Sequence, residues 1–197
     1  VHGGAWKAGR ASDYAFLAET FVGAGAKYGI MDFSWVQDVG GNLAELSNQV
    51  CGAIAWVYRN ADRLGFAAER LYIGGHSSGA HLASTALVRD WEKDFGLPQT
   101  LIKGALLVSG MYDLKPVRLS ARSSYVDIDD HTEQALSAIR HLDKVCAPII
   151  VSYGTCETPE FQRQARDFYE ALQREGKSAR LVIAEHYNHF EILETLA

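Results

Sequence analysis

Leu71-Tyr72-Ile73-Gly74-Gly75-His76-Ser77-Ser78-Gly79-Ala80-His81-Leu82 is the stretch on which the fold turns: a short apolar, β-rich run meets Gly-x-Ser-x-Gly and then a helix-forming segment. A serine held on a sharp strand-to-helix turn takes a strained backbone, and glycines two residues to either side let strand and helix pass without Cβ contacts. The helix start also turns backbone N–H groups toward any charge that develops beside Ser77. The pentapeptide alone is a weak signal in a chain with 18 glycines, so the weight falls on what surrounds it.

Outward from this turn, apolar segments of two kinds alternate. The spacing predicts strands over 70–74, 102–109, 149–153 and 180–184, and a further short strand within 27–35 through Tyr28, Ile30 and Phe33. Helices are expected over 13–22, over 43–60 where Leu43, Leu46, Val50, Ile54 and Val57 recur, over 79–89, and from Pro159 onward with Thr158 as its cap. Such alternation implies an α/β fold, a mainly parallel sheet with helices on both faces, whose catalytic groups gather at the carboxyl ends of the strands.

At those ends a serine nucleophile needs a base and an acid on separate loops. Glu157 follows the 149–153 strand and His189 follows the last one, giving the order Ser77, Glu157, His189. His186 is the rival base. Asp113, after the 102–109 strand, is the alternative acid. The opening His2-Gly3-Gly4-Ala5-Trp6 offers the N–H groups of Gly3 and Gly4, joined by that of Ser78, as oxyanion donors. Trp6, His76 and Tyr187 flank these motifs as candidate substrate contacts, with Trp6 equally suited to the core and His76 and His81 to hydrogen bonding around the turn. No third ligand is spaced with those histidines for a metal. Cys156 reads as a buried small residue rather than a nucleophile.

Together His2-Gly3-Gly4-Ala5-Trp6, Gly75 to Leu82, Ser109-Gly110-Met111-Tyr112-Asp113-Leu114 and Tyr187-Asn188-His189-Phe190 resemble the arylformamidase (kynurenine formamidase) branch of the serine α/β-hydrolases, related to the hormone-sensitive-lipase-type esterases. The resemblance covers essentially the whole chain. It implies an α/β-hydrolase fold, Ser77, Glu157 and His189 in the triad, and metal-free hydrolysis of an aryl-formamide such as N-formyl-kynurenine without a cofactor. Many relatives carry Asp where this chain has Glu157, and they have strands before the His-Gly-Gly turn, so a chain truncated at its amino terminus is expected. A carboxylesterase acting on small acyl esters is the alternative, and a non-catalytic hydrolase-fold binding protein the third.

Composition narrows the class. The 197 residues, 48% hydrophobic and 22% charged, suit a single domain over 1–197, with the long connection 111–131 as a cap-like loop. A net charge of −5 with no basic stripe or long apolar span argues against nucleic acid and membrane partners and for a small-molecule substrate, with a homodimer left open. Three cysteines without paired spacing make a cytoplasmic setting the expectation.

Overall fold

The computed structural model describes residues 1–196. Four strands, β1 (Leu71–His76), β2 (Ile102–Val108), β3 (Ile149–Gly154) and β4 (Ala179–Ala184), form one sheet in the order β1-β2-β3-β4. Every neighbouring pair is parallel. The helices in chain order are α1 (Ala18–Gly23), α2 (Leu43–Arg59), α3 (Ala61–Leu64), α4 (Ser78–Leu87), α5 (Trp91–Phe95), α6 (Lys115–Arg118), α7 (Asp130–Leu136) and α8 (Pro159–Arg174).

Because each strand pairs with the next and crossovers keep one hand, α4 and α8 fall on the same face of the sheet. There Leu82, Ala83, Leu107, Val151, Phe168 and Leu172 share one core, which α2 extends through Leu46 and Val50. The alternation of exposed and buried positions along α2 follows from its apolar stripe, and the Asn42 side chain caps it by accepting from the N–H groups of Ala44 and Glu45. Burial of the sheet's other face is unequal. Leu17, Val108, Ile192 and Leu193, carried by β2 and by 3-10 turns at Ala11–Leu17 and Glu191–Leu196, cluster at its carboxyl end. Toward the amino end, Tyr72 is 65% exposed and Ile150 39%.

Several expectations are corrected. Residues 27–35 form no strand and pair with no strand among the described residues; Ser34 N–H donates to Gln49 Oε1, and the Phe33 ring stacks on His2. The 13–22 segment divides into a 3-10 turn and the short α1. Thr158 adopts the extended N-cap conformation but its side chain makes no cap hydrogen bond, leaving Pro159 to open α8. The 111–131 connection, expected as a cap-like loop, carries short helical elements. It folds into α6 and a 3-10 turn at Ala121–Ser124, and buries Met111, Leu114, Val117, Val126 and Ile128. Among the described residues, no helix is long and apolar enough to cross a membrane.

Candidate active site

Where β1 ends, Ser77 takes φ 56° and ψ −123°, a conformation that costs an L-residue energy and that the ladder enforces through the Ser77 N–H bond to Val108 O at 2.9 Å. The glycines around it have a steric reason. A Cβ on Gly75 would lie 2.5 Å from Gly79 O, and one on Gly79 would lie 2.2 Å from Val1 O and 2.3 Å from His2 O. The opening residues therefore press against the start of α4, with Val1 beside β1: its N–H donates to Gly74 O and its carbonyl accepts from His76 N–H. This brings the His-Gly-Gly segment to the serine.

Three side chains from three separate loops meet there. His189 Nε2 stands 2.9 Å from Ser77 Oγ, and His189 Nδ1 stands 2.7 Å from Glu157 Oε2. A carboxylate only accepts, so Nδ1 carries the proton and Nε2 is left to accept from the serine hydroxyl. The Glu157 side chain is fully buried, and its other oxygen takes two donors, Ser109 Oγ–H at 2.6 Å and Gly154 N–H at 2.7 Å. Burial alone would push the Glu157 carboxyl up, but the bonds from His189, Gly154 and Ser109 outweigh it and hold it below the ordinary value. The acid is thus ionised where it faces the imidazole. Phe161, at the start of α8, packs on the His189 ring with centroids 4.3 Å apart.

Asp113 is engaged elsewhere. Its Oδ1 accepts from Arg140 at 3.0 Å and from Lys115 N–H at 3.1 Å, within a cluster that also joins Glu133 to Arg118 and Arg140. His186 lies in a turn at φ 70°, its N–H bonded to Thr155 Oγ1. Among the described residues, the N–H groups of Gly4 and Ser78 donate to no other protein atom, and the Tyr14 hydroxyl packs against Gly3.

The expected substrate contacts fare unevenly. Trp6 is 1% exposed and meets His81 edge-on at 5.3 Å, so it belongs to the core. His76 is 2% exposed with both ring nitrogens occupied, by Tyr14 Oη at 2.8 Å and His189 O at 2.7 Å, which leaves none for a substrate. Tyr187 remains 38% exposed. Cys156 is exposed rather than buried, its N–H bonded to Tyr187 O. Sequence reasoning passed over Ser109, Tyr14 and Phe161. Ser109 left the clearest trace, since it opens the Ser-Gly-Met-Tyr-Asp-Leu motif and, at φ 54°, turns its hydroxyl to Glu157.

The BD-FAE family model matches residues 1–172. Kynurenine formamidase of Salmo salar is 30% identical to the chain over 207 residues, covering 100% of this chain and 66% of that protein. The enzyme of the same name from Danio rerio is 30% identical, with 99% and 66% covered. The chain thus spans just under two thirds of the length of these curated relatives. Among solved structures, carboxyl esterase 2 of Tuber melanosporum aligns with a TM-score of 0.82 at 19% identity, over 99% of this chain and 69% of the other. That likeness is one of fold, and the fold is the α/β-hydrolase sheet and its covering helices.

Proposed function

The chain belongs to the BD-FAE family, and from that membership we propose that it is a serine hydrolase that cleaves an aryl-formamide of the N-formyl-kynurenine kind through an acyl-enzyme. The observation that carries this is the unbroken line from Ser77 Oγ through His189 to the buried Glu157 carboxylate. In the proposed reaction His189 Nε2 takes the Ser77 proton as Oγ attacks the formyl carbon. Glu157 keeps the proton on Nδ1 and stabilises the imidazolium. Backbone N–H groups of Gly4 and Ser78 receive the oxyanion, each such donor contributing about 3 kcal/mol to transition-state stabilisation. The imidazolium then protonates the departing aryl amine, and water, activated by the same base, releases formate from Ser77. Base, acid and oxyanion donors all come from the chain, so no metal or cofactor is called upon.

The 111–131 segment acts as a cap in this proposal. It brings the Arg122 guanidinium over Trp6, two residues beyond the Gly3-Gly4 turn, and Tyr125 beneath the Lys7 ammonium. These cations suit a substrate that bears a carboxylate.

The test compares kcat/KM for N-formyl-kynurenine with that for p-nitrophenyl acetate, alongside covalent labelling by a fluorophosphonate. Labelling at Ser77 together with efficient formamide turnover is expected. An ester preference of several orders of magnitude would replace the formamidase with a small-acyl carboxylesterase, and failure of Ser77 to label would leave a binding protein on a hydrolase fold.

A further inference from the structure

We infer that Tyr14 is a positioning residue for this reaction: its hydroxyl fixes which nitrogen of His76 carries the proton, and His76 in turn anchors the main chain of His189 in line with Ser77. The inference rests on His189 being the base.

The directions of the hydrogen bonds leave little freedom. His76 Nε2 lies 2.7 Å from the His189 carbonyl oxygen, which can only accept, so Nε2 carries the hydrogen. Nδ1 of the neutral ring then has a lone pair, and the group facing it at 2.8 Å is the Tyr14 hydroxyl, which must donate. One line of bonds therefore runs from Tyr14 through His76 to the peptide of the base. The ring is kept neutral by burial and, secondarily, by the nearby His189, which together bring its pKa down to about 4. Space is fitted to this arrangement as well: a Cβ on Gly3 would sit 2.7 Å from Tyr14 Oη and 3.0 Å from His76 Nδ1.

Without the Tyr14 hydroxyl, Nδ1 is a buried acceptor with no donor. The other tautomer removes that penalty but sets the Nε2 lone pair against the His189 carbonyl, so either state loosens the base. Tyr14 itself touches neither Ser77 nor the proposed oxyanion position.

Tyr14→Phe should lower kcat roughly tenfold with KM nearly unchanged, the loss expected when one partner of a buried hydrogen bond is removed. Two further measurements separate this from simple packing. Nitrogen-15 spectra of the imidazoles, which need no substrate, should report His76 as the Nε2–H form in the parent and gain the Nδ1–H form in Tyr14→Phe. In a His76→Gln background, where the amide N–H donates to His189 O whatever Tyr14 does, Tyr14→Phe should cost less than about twofold. An unchanged His76 tautomer in Tyr14→Phe, or an equal kcat loss in both backgrounds, would overturn the inference. If the parent turns over no substrate and Ser77 resists labelling, the hydrolase proposal falls instead, while the spectra still decide the tautomer.

Discussion

Glu157 and Asp113 both follow strands and both carry a carboxylate, yet their neighbours give them different work. Glu157 is fully buried beneath His189 with Ser109 and Gly154 on its far oxygen, whereas Asp113 pairs with Arg140 and caps the Lys115 N–H at the partly exposed edge of the 111–131 segment. Glu157→Gln should leave the imidazole without its anionic partner and lower kcat by roughly a thousandfold to ten-thousandfold, while the fold survives. Asp113→Asn breaks one partly exposed ion pair, and kcat should stay within about threefold. Steady-state kinetics of the two variants check the assignment, and the reverse ranking would move the acid to Asp113. The longer glutamate also explains a local feature: its reach lets Oε1 fold back onto the N–H of Gly154, three residues earlier, while Oε2 still meets His189.

Between elements, the decisive contact is the crossing of residues 1–2 over the first turn of α4, which a side chain at position 79 would block with backbone on the other side. Backbone cannot swing away as a flexible side chain can, so Gly79→Ala should destabilise by about 3 kcal/mol or more and abolish labelling of Ser77. Gly52 is the informative contrast. It lies in α2 with nothing within 4 Å of the point a methyl group would occupy, so Gly52→Ala should stabilise by about 0.5–1 kcal/mol through helix propensity alone. Urea midpoints of both variants test the pair. Equal effects would mean that the close approach at Gly79 is not what the glycine serves.

At the scale of the molecule, buried histidines link stability to pH. Burial pushes His76 and His81 down to about 4 from an ordinary 6.5. As pH falls below 6.5 the unfolded chain binds protons at these two sites before the folded one does, so stability drops between about 6.5 and 4 and then levels, at about 3 kcal/mol per site. Glu157 acts in the same direction: its depressed carboxyl favours the folded state above its ordinary value, and that contribution is lost as pH falls through the folded one. Urea midpoints should therefore decline steadily from pH 7 to pH 4, and less steeply in His76→Gln. A midpoint constant across that range would contradict burial of these rings in their neutral form.

The sequence by itself determined the alternation of parallel strands and helices, the Ser77 turn, and the placing of Glu157 and His189 on loops after later strands, because periodicity and turn chemistry are local and each is written in consecutive residues. The 70–74, 102–109, 149–153 and 180–184 runs carry this far, and they sit within a residue or two of the observed strands, β1 alone reaching two residues further. Only the tertiary structure decided what depends on distant partners. Residues 27–35 have the composition of a strand but no ladder neighbour; Trp6 and His76 lie at the motifs yet point into packed surroundings; and Ser109 and Tyr14 acquire roles from residues 48 and 62 positions away. A hydrogen bond needs its donor and acceptor within about 3 Å in a defined direction, and no spacing along a chain specifies that until the chain has folded back on itself.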